Sequence, residues 1–204
     1  MSRVFIVGKD ALPQQVRVGR DETLDWVFVV LPGVSASIPL TVEIDGAGAE
    51  VRLSGLYVCG GEENVTFDIQ VRHNVGDSQS RQFFNSIAGG RSRAAFHGRI
   101  LVKEDAQRIK AYQENHNILL SEDARVETTP QLEIYADDVE CSHGATTGFL
   151  SAEEQFYMRS RGISEAEAKV LQMISFLAPV LARISDDAER ERLSAEVEAA
   201  VRSL

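Results

Sequence analysis

Cys141-Ser142-His143-Gly144 is the stretch of this sequence with the most chemistry in it. Thiolate and imidazole are ligands for zinc, iron and iron–sulfur clusters. On a strand, residues two apart point to one face, so Cys141 and His143 can converge on one ion or cluster. One Cys and one His make half a site, and the rest must come from elsewhere in the chain or from a partner. The alternative for Cys141 is burial as a small apolar residue, a common fate of free cysteine. Cys59, beside Gly60-Gly61, reads as such a core residue. His73, His97 and His116 stand alone in sequence and read as surface or core.

Other catalytic signatures are missing. There is no phosphate-cradling Gly-x-x-x-x-Gly-Lys-[Ser/Thr] loop, no Gly-x-Ser-x-Gly and no His-Glu-x-x-His. A Cys–His nucleophilic pair would lack the local signature of a cysteine protease. The acidic pairs Glu104-Asp105, Glu122-Asp123 and Asp137-Asp138 have the residue types of carbohydrate acid–base chemistry, but solvated turn corners account for them more simply.

The elements that must position these residues change character near residue 149. Fourteen of the 15 glycines and four of the five prolines precede that point. Residues 1–149 read as short strands rich in Val, Ile and Leu: 4–7, 26–31, 40–44, 49–53, 56–58, 65–71, 99–103, 118–120 and 132–135. Turn signals such as Asp45-Gly46 and Gly89-Gly90 separate them, and no long helical pattern intervenes. A sandwich, a jelly roll and a parallel β-helix all fit. The three acidic pairs each follow a short apolar strand and precede a small apolar residue, at spacings of 18 and 15. That predicts β-helix coils of about this length, with Ala106, Ala124 and Val139 as stacked interior positions.

Residues 150–204 read as a helical segment. Ser151-Ala-Glu-Glu154 and Ser164-Glu-Ala-Glu167 fit the capping box, and Gly162 supplies a stop between them. Helices are expected over about 152–160, from about 165, and over about 188–202. Val170, Ile174, Leu177 and Leu181 form an apolar stripe, in which Pro179 should kink or break the helix. The last helix either stays solvated or docks through Leu193, Val197 and Val201.

Composition sets outer limits. The 204 residues carry a formal charge of −10, which argues against nucleic acid and anionic membrane as partners. The longest apolar run, Trp26–Leu31, is far too short to span a bilayer. The start, MSRVFIVGKD, lacks a signal-peptide pattern, so a cytoplasmic location is expected. Two distant cysteines in such a compartment do not predict a disulfide.

Residues 130–162, PQLEIYADDVECSHGATTGFLSAEEQFYMRSRG, resemble the C-terminal signature of the SufB/SufD family, closer to SufD. Leu53-Ser-Gly-Leu-Tyr57, Gly98-Arg-Ile100, Ala106-Gln107 and Asn117-Ile-Leu-Leu-Ser121 continue the resemblance, which covers roughly residues 40–184. It implies a mainly β fold: a right-handed parallel β-helix over 1–149, then a short C-terminal α-helical segment over 150–204. It further implies a non-enzymatic component of the SUF machinery that assembles iron–sulfur clusters. The β-helix would pair with a SufB-like subunit, or with itself. The helical segment would dock a SufC-type ABC ATPase, whose ATP hydrolysis is thought to open the paired β-helices.

In the family a Cys and a His from the SufD side face the cluster-assembly site, and these match Cys141 and His143. No cofactor would be permanently bound, only a transient cluster at the subunit interface. Gln155, Phe156, Tyr157, Arg159, Arg161, Val170, Ile174 and Leu177 are the expected ATPase contacts, on a stripe left partly open without the partner. Three departures accompany the resemblance. The N-terminal helical region of the family has no counterpart in this sequence. Glu62-Glu63-Asn64 stands where many relatives carry Gln-His. Gly144 stands, as in SufD, where SufB has a glutamate. A β-helix carbohydrate-active enzyme and a diverged structural subunit without cluster contact are the competing readings.

Overall fold

From residue 3 to residue 149 the chain alternates between two sheets, and every strand pairs in parallel with its neighbours. The computed structural model describes all 204 residues. One sheet, the A sheet, holds six strands in the order β1 (Arg3–Ile6), β3 (Thr23–Val30), β5 (Glu50–Cys59), β7 (Gln79–Ala88), β9 (Ile109–Leu119) and β11 (Val139–Phe149). The other, the B sheet, holds β2 (Gln15–Val18), β4 (Ala36–Ile44), β6 (Asn64–His73), β8 (Arg93–Val102) and β10 (Arg125–Ile134). Strict alternation between two parallel sheets makes a flattened β-helix. Three helices follow: α1 (Ala152–Ser160), α2 (Glu165–Leu181) and α3 (Asp187–Arg202).

The coil is twice as long as the acidic pairs suggested. Leu40 pairs with Ile69 and Ile69 with Gly98, so one full turn takes about 30 residues and contributes a strand to each sheet. The corner after β8 carries Glu104-Asp105, the opposite corner after β9 carries Glu122-Asp123, and the corner after β10 carries Asp137-Asp138. The apparent repeat of 15 to 18 residues is therefore the half-turn. Ala106 and Ala124 are buried as expected, but against opposite edges of the solenoid. The acidic pairs lie on two edges and do not converge on one groove.

Other differences concern strands, and β2 and β11 lie outside the expected spans. Residues 49–53 and 56–58 belong to the single strand β5. β7 shows no alternating apolar pattern because its interior face carries Ser80, Gln82 and Ser86, while the outer face of its second half is covered by helix.

Between the sheets, Phe5, Phe28, Tyr57, Phe67, Phe84 and Phe96 run along the axis, with successive contacts at ring-centroid distances of 4.8 to 5.9 Å. This aromatic column dominates the apolar area hidden from water. Gly55 makes room for it: a Cβ there would lie 2.5 Å from the Phe84 ring. Gly98 likewise yields its space to the Gln113 side chain. The Leu-Ser-Gly-Leu-Tyr and Gly-Arg-Ile stretches thus owe their glycines to interior packing.

The helices begin where their caps are. Ser151 and Ser164 accept from the amides of Glu154 and Glu167 at 3.2 Å, and Asp186 caps α3. The capping boxes are half made. Glu154 accepts instead from Gln172, and Glu167 from Arg202 of α3. α2 passes through Pro179 without a break and ends two residues later, so the proline does not break the helix as expected: it sits in the last turn, where little helix follows it. Its apolar stripe is spent internally. Met173, Leu177, Val180 and Leu181 pack on Val27, Val29, Leu56, Val58 and Ile87 of the A sheet and on Leu193, Val197 and Val201 of α3. The helical segment therefore shares a core with the β-helix, and α3 docks through the three residues expected of it.

Candidate functional site at the open end of the β-helix

β11 is the last strand of the A sheet. It pairs with β9 along its full length and has no strand on its other side. The register sets Cys141 beside Ala111 and His143 beside Gln113. Ala111 and Gln113 line the interior of the coil beneath, so Cys141 and His143 share the lining face, as their spacing predicted. No further coil covers that face. Neither β10 nor β11 contains a fully buried residue, and His143, Ala145, Thr147 and Phe149 are all exposed.

The two candidate ligands differ in environment. Cys141 is half-buried against Ile100, Val102, Ile109 and Ala111. Burial raises its thiol pKa, an Ala111 backbone hydrogen bond pulls the other way, and Glu140 adds to the rise. His143 stands free in solvent. No group of three or more His, Cys, Asp or Glu side chains is placed so that it could hold a metal ion on its own. A thiolate and an imidazole on one exposed strand can thus supply two ligands, and a four-coordinate site would need two from outside the chain.

The remaining titratable candidates do not join Cys141 and His143 on the lining face. Cys59 is fully buried, and desolvation pushes its thiol up to about 12. His73 is also fully buried. Its ring nitrogens lie 2.8 and 2.9 Å from the hydroxyls of Ser78 and Ser80, and burial lowers its pKa to about 4. A neutral imidazole bridging two hydroxyls inside the solenoid is a structural element. His116 sits on the outer face, with Nδ1 2.8 Å from the Thr146 hydroxyl.

The expected ATPase contacts fall into three groups. Phe156 and Tyr157 are exposed on α1, at 74% and 58%, and Arg161 lies over the Tyr157 ring at 5.3 Å. Arg159 pairs with Glu165 at 3.6 Å, and Gln155 turns inward to donate to Gln172 at 3.1 Å. Val170 and Ile174 are half-buried against the helix–sheet core. Leu177 is fully buried and is removed from any contact surface: the A sheet already covers it. The open apolar surface is displaced from the α2 stripe to α1. Tyr157, Phe149, Leu171 and Phe176 line a surface groove of about 860 Å³ there. Leu171 lies beside the α2 stripe, and Phe149 lies on β11 outside the helical segment.

Residues 11–176 match the family model of the SufBD core domain of the SUF iron–sulfur cluster assembly system. The chain belongs to the SufB/SufD family. It is 34% identical over 157 residues to the iron–sulfur cluster assembly protein SufD of Escherichia coli, covering 77% of this chain and 37% of that one. It is 30% identical over 190 residues to a SufBD-family iron–sulfur cluster assembly protein of Mycobacterium bovis, covering 89% and 48%. With SufD of Bacillus subtilis the identity is 27% over 184 residues, covering 90% and 42%. The chain thus spans less than half the length of these relatives. No helix is long and apolar enough to cross a membrane.

Proposed function

We propose that this chain is a SufD-like, non-catalytic subunit of the SUF machinery, and that the free edge of β11 is where a SufB-like subunit, or a second copy, joins it. One observation carries the reading: an eleven-residue strand with an unpaired edge presents Cys141 and His143 on one open face. Long uncovered edges are templates for another strand, and folds that keep them use them. A partner strand there would close the last coil. It would also bring the missing ligands to Cys141 and His143, which then hold a nascent iron–sulfur cluster as cargo at the interface. A cytoplasmic location fits this role.

The helical segment supplies the second contact. Tyr157, Phe149 and Leu171 line an exposed apolar groove of the kind that marks a protein interface, and Phe156 is exposed beside Tyr157 on the same helix. A SufC-type ATPase is its proposed partner, with Arg159 and Arg161 at the rim.

Paired substitutions test the two contacts separately. Ala145→Lys with Thr147→Lys places charge on the lining face of β11 and should abolish co-purification with the SufB-like subunit. Phe156→Ala with Tyr157→Ala should abolish co-purification with the ATPase and spare the first contact. Retention of both partners by both variants would remove the proposal.

A further inference from the structure

Arg81 and Arg183 line a groove on the outer face of the A sheet, where it meets the turn between α2 and α3. The chain is acidic overall, and most of its arginines have a carboxylate within 4 Å. Arg52, in the same groove, pairs with Glu50 at 2.5 Å and Asp25 at 3.7 Å. Lys110 pairs with Glu140 at 3.9 Å. Arg81 and Arg183 make no ion pair and no side-chain hydrogen bond. Each guanidinium instead rests near an aromatic face, Arg81 5.2 Å from the Tyr112 ring centre and Arg183 6.0 Å from that of Phe83. Such stacking fixes a guanidinium without using its donors, so less freedom is lost when a ligand arrives.

A second observation points the same way. Ser54 lines the groove, is only 4% exposed, and its hydroxyl bonds to nothing in the chain. The hydroxyl oxygen itself is not sealed from solvent and is free to donate to a ligand in the groove. The two adjoining lobes, which share Arg52, Arg81 and Arg183, have volumes of about 190 and 310 Å³, room for a small ligand. Two free guanidinium forks and a hydroxyl match the several oxygens of a tetrahedral oxyanion.

We infer that this groove binds a small phosphate-bearing molecule, with Arg81 and Arg183 on its phosphate oxygens and Ser54 donating to one of them. The site is separate from the β11 edge and the α1 patch and stands whether or not those contacts form.

Calorimetric titration of the full chain with inorganic pyrophosphate and with phenyl phosphate, at low salt, tests it. Saturable one-to-one binding of either is expected. Tighter binding of phenyl phosphate marks an ester that uses the aromatic flank, and tighter binding of pyrophosphate marks a free phosphate. The Arg81→Gln/Arg183→Gln variant should weaken binding at least about tenfold, and Ser54→Ala should weaken it severalfold. Arg93→Gln, which removes an exposed arginine outside the groove, should leave affinity within about twofold. All three variants are checked for native circular dichroism, and the arginine variants alone suffice if Ser54→Ala is unstable. Absence of saturable heat with both probes overturns the site, as does equal weakening by Arg93→Gln.

Discussion

The middle coils and the last coil are built from the same strand geometry, yet they are finished differently. In the middle coils the lining is aromatic and sealed: Phe67, Phe84 and Phe96 are fully buried and touch one another. Beside and beyond Phe84 the lining turns polar, with Gln82 of β7 and Gln113 and Asn115 of β9 buried along the A sheet. At the last coil the lining positions hold Cys141, His143, Ala145 and Thr147 and face solvent. A solenoid that caps itself ends on polar residues or a covering element. This one ends on a thiol, an imidazole and an unpaired strand edge. Stability is concentrated in the first region, and the uncovered strand edge lies in the second.

The largest effects should follow that division. Phe84→Ala should cost about 3 to 5 kcal/mol, because it empties the column between Phe67 and Phe96. Phe149→Ala, at a 70% exposed lining position of the last coil, should stay within about 0.5 kcal/mol. Denaturant unfolding of both variants reads the contrast, and comparable losses would erase it.

The buried imidazole gives the next effect. Unfolded His73 takes a proton near pH 6.5, whereas the folded residue resists until about pH 4. Between those values the unfolded state binds more protons, so stability should fall as pH drops from 6.5 towards 4. For this group the fall totals about 3 kcal/mol, with no further loss below. His73→Asn should flatten the stability profile in that window, at some cost in stability at neutral pH. An unchanged slope would place the titration elsewhere.

The smallest test concerns the two thiols. Both are raised by burial, but Cys59 is sealed in the middle coils and Cys141 is half-exposed in the last. Alkylation of the native protein followed by peptide mapping should modify Cys141 well before Cys59. Equal rates would show that the middle coils open as readily as the end.

Sequence legibility divides along the same line. The helices were readable almost to the residue, because Ser151, Ser164, Asp186 and Gly162 are local signals. The shared face of Cys141 and His143 was readable from strand period alone. The coil length was not: acidic corners alternate between two edges, so the visible spacing was half the true turn. β7 escaped notice because Ser80, Gln82 and Ser86 line its interior while Phe83 and Ile87 meet the helices outside, which inverts the usual pattern. The fate of the α2 stripe depended on which sheet face it meets, and no local pattern encodes that. The approach of Arg81 to Arg183 arises only when α2 folds back on the sheet.

Anaerobic reconstitution with iron and sulfide, in the presence of the SufB-like partner, tests the role of the open coil most directly. The native pair should develop iron–sulfur charge-transfer absorption. The pair carrying Cys141→Ser and His143→Ala should still assemble but hold markedly less cluster. Undiminished cluster in that variant pair would contradict a ligand role for this strand.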